Sequence, residues 1–357
     1  MKEGRTLQQL AVEIAAQKQT KRDFLVPANR LEMLHEDGLS LRLPVKTKEA
    51  DFQEFGIRDL AHEQIAERLQ IPKRYYDVMK ERAPELLTRN VNHWLQTSDD
   101  TRLVRTIEGQ ARAFLSDRYR RLDNDELAEH LLPKLFEIPG LFVPSAEITD
   151  RRLYLQVVNN RVSGEVRKGD VVQAGVVISN SEVGCGALQI QPLVYRLVCT
   201  NGAIMNDQRL RQHHLGSRGE GGDGMELPWE RLADDTIRAQ DEALWKTARD
   251  VARSSLEDAI FQQALEKMRR AAGEKIEKKP QEVVELAARR FSLQDGEQDN
   301  VLAFLASGGD MTKWGLVNAV TATANRVTDY DRAVELEKVG GQILEMPDTM
   351  WRTLASN

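Results

Sequence analysis

The sequence predicts an α+β protein: a central, mostly antiparallel β-sheet core with a crossing helix, set between a helical N-terminal cluster and a helical C-terminal domain. Three observations carry this expectation. Apolar residues recur at helical spacing on both sides of the chain's middle, residues 101–205 alternate apolar and polar positions instead, and a glycine-rich stretch at 206–227 separates the two patterns. The expected regions are therefore 1–100 (mixed, containing the helical cluster), 101–205 (sheet core), 206–227 (flexible loop) and 228–357 (helical domain).

The first helix carries Leu7, Leu10, Ala11 and Ile14 on one stripe, and short extended pieces follow at 24–26 and 40–45. Pro72 and Pro84 suit a first helical position, where a missing N–H costs nothing, so helices are expected at 59–69, 72–82 and 84–95. Runs 103–107 and 111–115 flank Glu108-Gly109-Gln110 and read as a hairpin. A helix at 125–137 comes next, with Asp123 and Glu126 at capping-box spacing. Strands are expected at 141–148, 152–159, 171–179 and 187–199. In the second of these, Leu153, Leu155 and Val157 alternate with Arg152, Tyr154 and Gln156, giving an inward and an outward face. Pro192 points to an edge or a bulge. One long helix is expected from 228 to about 272, with Leu244, Ala248, Val251, Ala252, Leu256, Ala259 and Ile260 on its apolar stripe. Shorter helices at 282–290, 300–306, 312–327 and 331–344 complete the chain.

With 357 residues, 41% apolar and 30% charged, the composition is that of a folded globular protein. No apolar run approaches the roughly 18–20 residues that span a bilayer, and the N-terminus lacks the apolar stretch of a secretory signal. Cys185 and Cys199 stand at no familiar metal spacing, and both fall in apolar runs where a free thiol acts as a small hydrophobe. A cytoplasmic, membrane-free protein is expected. The net charge of −6 is unevenly distributed. Between Arg102 and Arg218, sixteen Lys or Arg face thirteen Asp or Glu, so this segment carries +3 and the rest of the chain −9. Fourteen of those sixteen cations are Arg, the residue suited to bidentate phosphate contacts and to stacking on bases.

The arginines form the leading candidate site. Arg112, Arg118, Arg120, Arg121, Arg152 and Arg196 would grip phosphates across the sheet, with Arg209, Arg211 and Arg218 in the loop closing over a strand. Gln189, Gln191, Tyr154 and Tyr195 would complete an open polar platform for single-stranded nucleic acid. Ordinary surface charge paired with Glu108, Asp117 and Glu165 is the bland counterpart. Residues 64–79 resemble a helix-turn-helix, with Lys73 and Arg74 at the start of the reading helix, yet Gln70 stands where the turn favours Gly. A helical hairpin packed on the core fits the same pattern. Asn180, Glu182 and Asn201, together with Arg196, would form a polar cluster at one end of the sheet, or simply build tight turns. Phosphate-loop, nucleophile-elbow and zinc-protease motifs are absent. No resident cofactor or metal is expected. Mg²⁺ enters only in a nuclease reading that uses Asp123, Asp125 or Glu182.

Five segments together carry a family resemblance: AHEQIAERLQIPKRYYDVM from Ala61, LSDRYRRLDNDEL from Leu115, ISNSEVGCGAL from Ile178, YRLVCTNG from Tyr195 and WGLVNAVTATANRVTDYDRAVELEKVGG from Trp314. In this order they resemble the phage- and plasmid-borne family known as domain of unknown function 932, over roughly residues 50–345. The resemblance implies a bacterial or phage-infected cytoplasm and supplies no catalytic residues. The element order is also similar, broadly, to that of single-strand annealing recombinases. The expectation is a DNA-binding protein, acting on single strands in recombination or replication and assembling as a homo-oligomer. The alternatives are a non-enzymatic protein-interaction protein directed at a host or defence factor, and the metal-dependent nuclease.

Overall fold

The computed structural model describes residues 1–45, 50–205, 210–212 and 234–356. Its α+β architecture contains two sheets where one was expected. Helix α1 (Leu7–Thr20) leads into β1 (Arg22–Pro27), β2 (Glu32–His35), β3 (Leu39–Pro44) and β4 (Phe52–Ile57). Three short helices follow, α2 (Asp59–Arg68), α3 (Lys73–Arg82) and α4 (Pro84–Gln96), then the hairpin β5 (Thr101–Ile107) and β6 (Gln110–Ser116). The hairpin turns through Glu108 and Gly109, both at positive φ (50° and 74°), as a two-residue turn of this hand requires.

This hairpin does not join the later strands. It is inserted among the early ones, giving the order β1-β5-β6-β4-β3-β2, antiparallel except for the β4–β6 pair. Pairing therefore crosses the boundary drawn at residue 100. Helices α2 to α4 bury Ile65, Ala66, Tyr76, Met79, Leu87, Val91 and Leu95 against Met33, Leu41, Phe55, Val104 and Phe114 of this first sheet. Gln70 takes the left-handed conformation (φ 57°) in the turn after α2, a position Gly would fill with less strain.

The second sheet is built from β7 (Leu141–Ile148), β8 (Leu153–Glu165), β9 (Val171–Asn180), β10 (Leu188–Arg196) and β11 (Asn201–Ile204), each antiparallel to its neighbour, after helix α5 (Asn124–Leu135). Strand β12 (Leu210–Gln212), inside the stretch expected as loop, pairs with Leu188–Ile190 of β10. Pro192 sits between the part of β10 that pairs with β12 and the part that pairs with β11, where its missing N–H breaks no ladder bond.

Then come α6 (Asp234–Ser254), α7 (Asp258–Gly273), α8 (Pro280–Phe291), α9 (Asp295–Gly308), α10 (Lys313–Thr323), α11 (Tyr330–Leu344) and α12 (Asp348–Ala355). The expected long helix is broken between α6 and α7. Ser254 and Ser255 turn their hydroxyls onto the Val251 carbonyl (3.0 and 2.8 Å), competing with the helical ladder, and Leu256 drops into the core. One face of the second sheet packs Leu153, Leu155, Val157 and Ile178 on α1, α5 and α6. The other packs Tyr154, Val158, Val177 and Tyr195 on Tyr330 and Val334 of α11. Helix α11 approaches so closely that a Cβ at Gly341 would collide with the Ile204 carbonyl. Among the described residues, no helix is long and apolar enough to cross a membrane.

Candidate functional site

The two sheets meet along a seam of charge. Lys21 follows α1, Asp23 lies on β1, Arg105 and Arg112 on β5 and β6, Asp123 and Asp125 at the start of α5, and Glu182 in the turn after β9. Arg105, 1% exposed, donates to Asp23 (2.9 Å), to Asp123 (2.7 Å) and to the Glu182 carbonyl (2.8 Å). Lys21 Nζ stands 3.3, 2.8 and 2.9 Å from Asp123, Asp125 and Glu182. The other Glu182 carboxylate oxygen faces Arg112 Nη2 at 2.8 Å. Burial acts against charge on Asp123, but the Arg105 and Lys21 cations hold its carboxyl below the usual range. Burial likewise pulls Lys21 down, and the charges of Glu182 and Asp123 more than compensate, leaving it raised.

Capping at α5 differs from the expected box. Asp123 makes no side-chain cap; its carboxylate is taken by Arg105 and Lys21, and Glu182 reaches across to accept the Asn124 N–H at 2.7 Å. Asn180 completes the seam by donating to the Leu122 carbonyl and to Asn124 Oδ1 (2.8 and 2.9 Å). The carboxylates of Asp123, Asp125 and Glu182 offer oxygens within 4.8 Å of one another, close enough to share a divalent ion. The Lys21 ammonium already stands among all three. A metal there would have to displace it.

A second concave surface lies beside α3 and α4. This groove of about 590 Å³ is lined by Arg68, Gln70, Tyr75, Asn90, Trp94, Asp100 and Arg102. Tyr75 and Trp94 are half exposed (50% and 48%), which is unusual for rings of this size. Arg102 pairs with Asp100 at 2.5 Å, while its Nε and Asn90 Oδ1 are buried without a hydrogen-bond partner. Beneath the groove, Tyr76 is turned inward and meets His62 Nδ1 at 2.7 Å. Burial, helped by the Lys80 charge, lowers His62 to about 4. Lys73, expected to open a reading helix, pairs with Glu63 at 2.5 Å.

With both sites in view, one comparison is decisive. The model of the family described as Domain of unknown function (DUF932) matches residues 113–340, well over half of the chain. The chain belongs to this family. No curated protein and no solved structure matches it. The DUF932 match begins within β6 and ends in α11, so it covers the second sheet and most of the C-terminal helices. The seam straddles its start, and the groove precedes it.

Within the DUF932 match the expected arginines do not converge on one surface. Arg120 pairs with Asp241 (2.5 Å), Arg121 with Asp23 (3.5 Å) and Arg196 with Asp170 (2.5 Å), while Arg152 donates to the Cys185 carbonyl. Arg118 is exposed in the segment after β6, and Arg211 is exposed on β12. Arg209 and Arg218 lie outside the described residues. The open platform is corrected: Gln189, Gln191, Tyr154 and Tyr195 are buried, because helices cover both faces of the sheet. The polar cluster is also corrected. Asn180 and Glu182 meet in the seam, but β10 carries Arg196 to the far end of the sheet, where Asn201 instead donates to Thr321 at 2.5 Å. Nor are both cysteines in strands: Cys185 lies in the turn after β9, and Cys199 is exposed between β10 and β11.

Sequence reasoning missed Tyr75 and Trp94 as surface aromatics. The pattern gave no signal at Trp94: it stands seven residues after Leu87 and three after Val91, on the spacing of the buried stripe of α4.

Proposed function

We propose that this protein binds single-stranded nucleic acid, and that the groove beside α3 and α4 is where it does so. The observation that carries the reading is the pairing of two half-exposed rings, Tyr75 and Trp94, with Arg68 and Arg102 around one concavity. Every base has a π-face, so aromatic side chains in a cation-lined groove stack successive bases without reading their order. The setting implied by the family resemblance, a phage or plasmid in a bacterial cytoplasm, fits work on strands exposed in recombination or replication. Annealing and self-assembly belong to the same proposal.

The test is binding of a labelled single-stranded oligonucleotide, followed by fluorescence anisotropy across a salt series. Wild-type binding should weaken as salt rises, because phosphate contacts release counterions. Replacing both rings, by Tyr75→Ala with Trp94→Ala, should weaken binding by about tenfold or more. A second reading is favoured by one observation: Val78 and Leu86 are exposed on the same pair of helices, extending the apolar surface toward a protein partner. Capture of a host protein that survives nuclease treatment and is lost with Val78→Glu would favour that reading.

A further inference from the structure

We infer that the contact between α11 and the second sheet is a proton-gated joint, loosest when Glu337 and Lys338 are both charged. This does not rest on the single-strand reading, since neither residue lines the groove. Helix α11 crosses the sheet from β8 to β11. Asp331 accepts from the Tyr154 hydroxyl at 2.8 Å, Glu337 meets Gln156 on the same strand, and Gly341 lies against Ile204. The joint covers the side of the sheet that carries Tyr154, Val177 and Tyr195.

Two adjacent side chains make this joint costly to charge. Glu337 is 1% exposed, accepts from Gln156 Nε2 at 2.6 Å, and has no ion pair among the described residues. A carboxylate so placed loses its hydration for little in return, which favours the protonated form. A proton on Glu337 also brings an O–H donor beside Gln156, whose Oε1 is buried without a partner. Lys338 is partly buried, and its ammonium makes neither a hydrogen bond nor an ion pair among the described residues. Desolvation without a partner disfavours its charged form as well.

The charged groups facing Glu337 are the Met1 amino group and Lys338. Those facing Lys338 are Arg152 before β8, Arg211 on β12, and Glu335 and Glu337 on α11 itself. The Tyr330 phenol also faces Glu337, and burial raises it, so it stays protonated throughout. Burial pushes Glu337 from 4.5 up to about 7, against the Met1 amino group, the Gln156 hydrogen bond and Lys338. The fold prefers its neutral form, so this contribution is complete below pH 4.5 and lost as pH rises to 7. Burial first, then the Arg152 and Arg211 charges, bring Lys338 from 10.5 down to about 8. Here too the neutral form is preferred, so this contribution is absent below pH 8 and gained between 8 and 10.5. The joint is therefore weakest between pH 7 and 8, where both groups carry charge. The Met1 amino group, lowered by burial, acts in the opposite sense to Glu337 below pH 8.0, so a variant at Glu337 is needed to isolate the carboxyl.

The experiment is amide hydrogen exchange of α11 in the full chain, expressed as protection factors from about pH 5.5 to about pH 9.5. The expected profile dips between pH 7 and 8 and rises on either side. Glu337→Gln should remove the acid side of the dip and Lys338→Met the alkaline side, each raising protection within the dip by about tenfold or more. Helix α8, which packs on α9 and α12, should show no such dip. Carbon-13 NMR of the wild-type glutamate carboxyls decides the matter if a variant fails to fold: one carboxyl should titrate near pH 7. A profile that is flat or runs one way through this window, no glutamate titrating near pH 7, or a dip shared by α8 would overturn the inference.

Discussion

The seam between the sheets and the groove beside α3 and α4 are both polar concavities, and they use polarity in opposite ways. In the seam, Lys21, Arg105 and Arg112 each meet carboxylates, and the cations and anions come from five separate stretches of chain. Groups so engaged join the two sheets and have little left to offer a ligand. In the groove the large side chains are aromatic and half exposed, and Asp100 is the carboxylate that lines it among the described residues. The difference teaches that arginine density marks architecture in this protein, while the half-exposed rings mark the surface proposed to bind.

The largest expected effect tests the architectural half. Arg105→Met removes a fully buried cation from between Asp23 and Asp123 and should cost about 3–5 kcal/mol of stability in urea unfolding. A change under about 1 kcal/mol would mean that the seam does not join the sheets. Next comes acid sensitivity in the layer beneath the groove. His62 has a folded pKa of about 4 against an ordinary 6.5, so its contribution is complete above pH 6.5 and lost as pH falls toward 4. That span corresponds to about 3 kcal/mol. His62→Gln should flatten this part of the stability–pH curve, and an unchanged slope would refute the assignment. Asp123 and Asp125, both held low, add a loss in the same direction at lower pH.

Trp94→Ala should lower single-strand affinity by about 1–3 kcal/mol, with little change in the unfolding midpoint because the ring is half exposed. Equal losses of stability and affinity would return Trp94 to the core and blunt the contrast between the regions. The smallest effect is expected at the outer edge of the seam. Arg121→Ala removes a 3.5 Å pair with Asp23 from an exposed arginine and should change stability by less than about 1 kcal/mol.

The same contrast explains what could be read in the chain. Helices α2, α3 and α4 lie within a residue or two of the expected spans, because Pro72 and Pro84 punctuate them locally. The α+β class and the β5–β6 hairpin were equally legible. The sheet that receives the hairpin was not, since pairing of Arg22–Pro27 with Thr101–Thr106 is decided by contacts some eighty residues apart. Alternation in the second sheet misled for a different reason. Gln156 and Gln191 read as solvent-facing, yet each is buried with a partner, Glu337 at 2.6 Å and the Met205 carbonyl at 3.3 Å. Arg105, one of the fourteen arginines counted as suited to phosphate, is buried for the same reason: its carboxylate partners are distant in sequence.

The central claim is that the groove, rather than the arginine set, binds a single strand. It is tested most directly by comparing two variants in one anisotropy titration: Tyr75→Ala with Trp94→Ala, and Arg118→Ala with Arg120→Ala and Arg121→Ala. The expected result is salt-sensitive binding by wild type, a loss of about tenfold or more in the aromatic variant, and near-wild-type affinity in the arginine variant. Loss confined to the arginine variant, or no binding by wild type at low salt, would contradict it.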